Sequence, residues 1–287
     1  MSPDADTPVP ADEHGVILRR RRPGDGGLSA TQEARLIQVV SAVSPLPLPR
    51  VLALDVVDDS MELERLGGVP LRAPLTEPGL APAERTRLGG QIGAFTAALH
   101  TLPAASVSEL VPVDATRPSD LLASLRESAD LAAPAIGTAL RGSIAEFLET
   151  EAPPSTSRRV LAHTDLGADH VYVASAADEP LEIVGVVDWS GGALADPALD
   201  VGLMLRDLGS AGLYGMVRAY TAGGGIIDPP LLERALFHAR ARAIADLVSD
   251  VGSQDHLERA SAVRSLGFLL GPGATARVLT HAGVLAR

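Results

Sequence analysis

Between residues 160 and 187 the hydrophobic pattern changes period. Val160-Leu-Ala162, Val171-Tyr-Val173 and Leu181 to Val187 are short apolar runs separated by tight polar turns, which predicts strands. On either side the spacing is helical. Leu88, Ile92, Phe95 and Leu99 stripe one helix that ends at His100 to Pro103, and weaker patterns cover 119–131 and 138–150. From Pro197 onward the pattern is helical again, broken by Gly223-Gly-Gly225 and the Pro229-Pro230 start. A hairpin of strands embedded in a helical region leaves its polar turns as neighbouring loops, and acidic residues at the strand ends can converge there.

The first part of the chain reads differently. Residues 1–14 form a loose, acidic, proline-bearing tail. Gly15 to Arg19 is a β-branched apolar run, ended by Arg20 to Gly27. Ser29 with Gln32 fits a capping box, and Leu36, Val39, Val40 and Val43 then share a helical face until Pro45, Pro47 and Pro49 stop it. Arg50 to Val57 and Ser60 to Leu63 are extended, separated by Asp58-Asp59. A strand–helix–strand–strand unit therefore spans 15–66. Gly67-Gly68 and the prolines at 70, 74, 78 and 82 make a linker, and a larger, mostly helical unit covers 67–287.

Composition excludes several classes. The 24 basic and 36 acidic residues give a net charge of −12, so no basic face for nucleic-acid phosphates is expected. There is no cysteine, hence no disulfide, zinc knuckle or thiol nucleophile. No apolar run is long enough to cross a bilayer, and the N-terminus does not read as a secretory signal, so a cytoplasmic protein without a membrane partner is expected. Every basic residue among the 24 is arginine.

The densest polar cluster is His163-Thr-Asp165-Leu-Gly-Ala-Asp169-His170, lying between two predicted strands. Asp188 ends the next strand and is followed by Trp189-Ser-Gly-Gly; Asp196-Pro-Ala-Leu-Asp200 opens a helix. Carboxylates beside an imidazole suit a divalent cation plus a general base, and oxygen-rich ligands point to magnesium with a phosphorylated substrate. The same residues are compatible with a metal-dependent phosphohydrolase using His163, Asp165, His170 and Asp188.

The ordered trio His163-x-Asp165-x-x-x-x-His170, Gly185-Val-Val-Asp188-Trp189 and Asp196-Pro-x-x-Asp200 resembles the signature of the aminoglycoside and macrolide phosphotransferases, small-molecule kinases. The similarity runs from about residue 15 to about 210. It implies an α+β, protein-kinase-like two-lobed fold with a small N-terminal α/β lobe and a larger helical C-terminal lobe. It also implies ATP or GTP as phosphoryl donor, Mg²⁺, a hydroxylated small-molecule acceptor such as an antibiotic, and a monomer or homodimer. By resemblance, Asp165 is the catalytic aspartate, and His170 and Asp188 are metal ligands. Arg19 grips phosphate and Glu33 pairs with it, while Glu64 and Leu66 lie in the hinge that meets the nucleotide. Asp196 and Asp200 brace the loop.

Two departures qualify this. Kinases of this kind open with two strands joined by a phosphate-covering loop, and the short polar stretch before Val16 has no room for that pair. Either the chain begins late or the nucleotide cleft is open, which leaves a catalytically weak binding protein as the alternative. Without lysine, Arg19 must act as the phosphate-gripping base, and its fork is planar and longer. Thr164 replaces the common Gly or Asn. Several residues also have plain structural readings: His163 as a packed loop organiser, His170 as a half-buried histidine, His100 as a helix end without chemistry, and Trp189 as core. Asp207, Glu233, Asp246 and Asp250 read equally as solvated faces.

Overall fold

The computed structural model describes residues 10–11, 15–21, 24, 26–76, 79–131, 138–175, 179–249 and 256–281. Most of residues 1–14, and Asp250, lie outside that set. The first unit is a four-stranded antiparallel sheet in the order β1-β2-β4-β3, built from β1 (Pro10–Ala11), β2 (Val16–Arg20), β3 (Val51–Asp55) and β4 (Ser60–Glu64). Helix α1 (Ala30–Ser41) lies between β2 and β3 in the chain and carries the expected capping box. The Ser29 hydroxyl accepts from Gln32 N–H, and Gln32 Oε1 accepts from Ser29 N–H. The two-residue β1, paired with Val16 and Ile17 of β2, is a strand that the polar composition of its segment conceals. Leu36, Ile37 and Val40 of α1 are buried, whereas Val43, beyond the helix, is exposed.

The supposed linker is structured. Val69–Pro70 (β5) pairs antiparallel with Val171–Ala174 (β7), which also pairs with Glu182–Val186 (β8). A short helix, α2 (Arg72–Thr76), follows at once. The glycine at 68 permits this: its φ is +83°, and a Cβ there would lie 2.3 Å from the Val173 carbonyl oxygen. Leu71 N–H bonds to Val171 O and Arg72 N–H to Ala168 O, so this stretch is fastened to the polar loop before β7.

The helical unit contains α3 (Pro82–His100), α4 (Pro118–Ser128), α5 (Thr138–Leu148), α6 (Ala198–Ala222), α7 (Pro229–Ser249), α8 (His256–Leu269) and α9 (Ala274–His281). A second small ladder pairs β6 (Val160–Ala162) with β9 (Ala193–Ala195), a strand whose short alanine-rich run carries no usable periodicity. Helix α6 breaks its own regularity at Gly209, with φ +65°. No helix among the described residues is long and apolar enough to cross a membrane.

The tightest helix crossing sets α3 against α6. A Cβ on Gly93 would lie 2.4 Å from Met216 O, and one on Gly215 would lie 1.9 Å from Thr86 O. The backbones approach because neither glycine has a side chain, and Leu88, Ile92 and Phe95 of α3 then bury against Leu213 and Met216 in one core. In an exposed helix Gly→Ala would gain about 1 kcal/mol. Here Gly93→Ala should instead cost about 1–3 kcal/mol in chemical denaturation, because main-chain atoms must move apart. A stabilised variant would contradict this packing.

Candidate active site

The loop between β6 and β7 is set by one buried carboxylate. Asp200, in the first turn of α6 and 0% exposed, accepts the backbone N–H of His163 and of Thr164, each at 3.0 Å. It also faces His100 Nε2 at 3.2 Å, while His100 Nδ1 meets the Tyr220 hydroxyl at 2.8 Å. Burial works to raise the Asp200 carboxyl, but the His100 hydrogen bond and neighbouring charge override it and hold it below the ordinary range. His100 thus ends its helix, as expected, and also anchors the carboxylate that grips the loop. Thr164 is held at φ +67°, a region where β-branched residues are rare, which accounts for Gly or Asn being the usual occupant. Its hydroxyl donates to Gly191 O at 2.8 Å, helping to keep it there.

His163 is fully buried and tilted on Trp189, with centroids 4.7 Å apart. Its Nε2 donates to Val187 O at 3.0 Å, and Nδ1 accepts Asp165 N–H at 3.3 Å. Both ring nitrogens are committed, so a four-ligand metal cluster including His163 does not fit the geometry. Among the described residues, no group of three or more such side chains is placed to hold a metal by itself.

His170 lies between the two carboxylates. Its Nδ1 donates to the Asp165 carbonyl at 2.7 Å and is 3.6 Å from Asp165 Oδ2. Its Nε2 is 3.8 Å from Asp188 Oδ2. In the neutral ring, donation by Nδ1 leaves Nε2 as the lone-pair nitrogen facing Asp188. Asp188 itself has φ +61° and accepts the Ser190 hydroxyl at 2.7 Å. A cation held by one imidazole and one carboxylate, completed by phosphate and water oxygens, suits this donor pair.

Arg19, on β2, reaches both lobes: Nε bonds Glu33 Oε2 at 2.9 Å, and the guanidinium lies 3.1 Å from Asp188 Oδ1. Glu33 is buried on α1 and also accepts Trp189 N–H at 3.2 Å, so α1 is tied to the segment after Asp188. Burial pushes the Glu33 carboxyl up to about 7, against the opposing pull of Arg19. Burial also acts to raise Asp188, but Arg19, the Ser190 hydroxyl and the nearby imidazoles together outweigh it and leave that carboxyl below its usual range. In the hinge, the Glu64 side chain turns outward to Arg50 at 2.8 Å. Leu66 packs on Gly185, where a Cβ would lie 1.9 Å from its Cδ1. The geometry thus links Arg19, Glu33, Asp188, His170 and Asp165 in one chain of contacts, with Leu66 packed on β8 and the Glu64 carboxylate turned to Arg50.

Sequence reading missed a cationic partner. Arg242, on α7, places its guanidinium 2.7 Å from Asp165 Oδ1 and 3.2 Å from Asp246 Oδ1. Asp246 also pairs with Arg206 at 2.8 Å, and Arg206 pairs with Asp207 at 2.6 Å. Asp207 accepts Ala168 N–H. Asp207 and Asp246 therefore belong to an ion network behind the loop. Burial alone would depress Arg206, yet these carboxylates hold it above its ordinary value. Asp196 bonds Arg234 at 2.7 Å and caps α6 through Ala198 N–H, a bracing position.

The family model described as the phosphotransferase enzyme family matches residues 10–238. A solved GDP and kanamycin complex of the aminoglycoside phosphotransferase APH(2")-IIia superposes with a TM-score of 0.62 at 18% identity, covering 88% of this chain and 85% of that one. The macrolide 2'-phosphotransferase MphH of Brachybacterium faecium gives 0.57 at 22% identity, with 88% and 84% covered. The spectinomycin phosphotransferase APH(9)-Ia, in complex with ADP and its antibiotic, gives 0.52 at 13%, with 94% and 86% covered. At these identities the likeness establishes the two-lobed kinase-like fold. No curated protein matches the sequence.

Two outcomes test this geometry. Asp200→Ala strips the acceptor from two buried N–H groups and should lower stability by about 3–5 kcal/mol in denaturant titration; a loss under about 1 kcal/mol would show that the loop is held otherwise. For Glu33, a raised carboxyl in the folded state binds a proton that the unfolded chain has released. Its stability contribution is complete below the unfolded value of 4.5 and is lost as pH rises through about 7. Relative to Glu33→Gln, the wild type should lose on the order of 2 kcal/mol between pH 4.5 and pH 7.5. Parallel pH profiles for the two proteins would contradict the shift.

Proposed function

This chain belongs to the phosphotransferase enzyme family, and from that premise we propose that it is a nucleotide- and Mg²⁺-dependent O-phosphotransferase acting on a hydroxyl of a small molecule. The observation that carries the reading is the arrangement of Asp165 and Asp188 about His170, which lies 3.6 Å from the first and 3.8 Å from the second. An antibiotic or a related metabolite is the expected acceptor class, and the cytoplasm the expected place.

In this reading Asp165 orients the acceptor hydroxyl and takes its proton as the phosphoryl group arrives. His170 Nε2 and Asp188 would hold Mg²⁺, which when bound neutralises charge on the donor phosphates. Arg19 supplies the cation usually expected from lysine, and its bonds to Glu33 and Asp188 fix its reach. Leu66 offers an apolar surface to the base of ATP or GTP, and the main chain at Glu64–Leu66 lies beside it. Asp200 acts through the backbone: by gripping His163 and Thr164 N–H it aims the carboxylate two residues after His163. Phosphoryl transfer asks chiefly for positioning and charge neutralisation, and these residue types provide both.

A weakly active nucleotide-binding protein is the second reading, favoured by the ion pair that Arg242 makes with Asp165 in this state. One experiment separates them. Mg²⁺-dependent ATP or GTP hydrolysis, followed by phosphate release, should fall by about 10²–10⁴-fold in Asp165→Ala, while the thermal stabilisation given by nucleotide with Mg²⁺ persists. Turnover at the wild-type rate in that variant removes the mechanism. Stabilisation without turnover in the wild type selects the second reading.

A further inference from the structure

A cavity of about 220 Å³ adjoins the catalytic loop at Thr164, on the residue before Asp165. Much of its wall is apolar: Leu121 of α4, Leu199 and Leu203 of α6, and Ala241 and Ala245 of α7. Two arginines share that wall. Arg159 is bonded by the main-chain carbonyls of Thr156 and Arg158, at 2.6 and 3.1 Å, and by no carboxylate among the described residues. Arg242 bridges Asp165 and Asp246. Of the two acids of the wall, Asp196 is paired with Arg234, whereas Asp114 accepts the N–H of Thr116 and has no cationic partner among the described residues.

One polar group of the wall is unspent. His238 also lines the cavity, is 8% exposed, and its buried Nε2 has no hydrogen-bond partner. A buried polar atom without a partner costs free energy unless something pairs with it, which points to a ligand. Burial holds this imidazole below its usual range, with Arg234 acting the same way and Asp196 and Asp114 opposing, so it is a neutral donor or acceptor.

We propose that this cavity is the acceptor site and that it takes a hydroxylated molecule with an apolar body and a carboxylate, the carboxylate seated on Arg242 and Arg159. The proposal rests on the phosphotransferase reading and names its substrate class. A polyamine sugar needs a cluster of uncommitted acids; this wall offers one, Asp114, beside two guanidinium groups, of which Arg159 meets no carboxylate among the described residues. Carboxylates match the Arg fork bidentately, and the leucine and alanine surface covers the body of the molecule.

The same contact frees the reactive carboxylate. When the acceptor carboxylate replaces Asp165 on Arg242, the Oδ1 that was bonded at 2.7 Å becomes available to the acceptor hydroxyl. That hydroxyl oxygen then forms the new O–P bond, its proton passes to Asp165, and the bond from the γ-phosphorus to the leaving nucleoside diphosphate breaks. Arg242 thereby selects the acceptor and holds Asp165 occupied in its absence.

Mandelate, mandelamide and phenylethanolamine share a phenyl body and a hydroxyl and differ in carrying a carboxylate, an amide or an amine. Calorimetric titration of each into the full-length protein with saturating ADP and Mg²⁺ should rank mandelate tightest, by about tenfold over the amine. Arg242→Gln and Arg159→Gln should each reduce that preference to less than about threefold. Should Arg242→Gln not fold, as judged by circular dichroism, Arg159→Gln carries the comparison. Equal or tighter binding of the amine, no binding of any probe, or an unchanged preference in both variants overturns the proposal. Nucleotide stabilisation of the wild type, measured alongside, reports separately on the phosphotransferase reading: the probes can fail with nucleotide binding intact, and the reverse.

Discussion

Asp200 is the constraint from which the site follows. A carboxylate with no exposure to water must be surrounded by donors, and two of its three come from the main chain of the loop it controls. The bonds to His163 and Thr164 N–H fix a backbone that Thr164 would not choose, at φ +67°. That strain is repaid across the fold: His163 is locked between Val187 and the Asp165 N–H, and the Asp165 carboxylate is presented beside His170. Both carboxylate oxygens meet donors, which is what makes a buried charge tolerable so close to the β6–β7 loop. It is also a joint between structural levels, since His100 of α3, the first turn of α6 and the β6–β7 loop all meet at one side chain.

The second joint is Arg19. A lysine would offer a point charge that could move between partners, whereas the guanidinium fork holds Glu33 with one nitrogen and Asp188 with another. The small lobe is thereby coupled to the segment that follows β8, and Trp189 N–H adds a further bond to the same Glu33 carboxylate. Glu33 is drawn two ways, toward neutrality by burial and toward ionisation by Arg19, and so sits near neutral pH in its response. Coupling of this kind makes the placement of Asp188 sensitive to the position of α1.

Net charge is a poor guide to the chemistry of the pocket. A chain at −12 would suit a cationic acceptor if its charge were spread evenly. Most acids nearest the loop are instead committed, Asp207 to Arg206, Asp246 to Arg206 and Arg242, Asp165 to Arg242 and Asp196 to Arg234, while Arg159 lines the cavity without a carboxylate partner among the described residues. Electrostatics at a few ångströms depends on which groups are paired and desolvated, and the sum over the chain does not contain that information.

The capping box at Ser29, the strand at Val16, the helix striped by Leu88 to Leu99, and the Asp165–Asp188 pair were all legible, because each is encoded by neighbours in sequence: a local hydrogen bond, a local period, a motif at fixed spacing. Elements β1, β5 and β9 were not, since two- or three-residue strands form only where a partner strand and a glycine such as Gly68 allow it. Arg242 stands 77 residues after Asp165, and His238 and Arg159 carry no motif. Their meeting is decided by how α7 lies against α6 and the loop. Sequence by itself determined which residue types the chemistry draws on and which local segments could present them. Tertiary structure alone decided which charges neutralise one another and which are left facing the cavity, because pairing depends on distances that only helix packing sets.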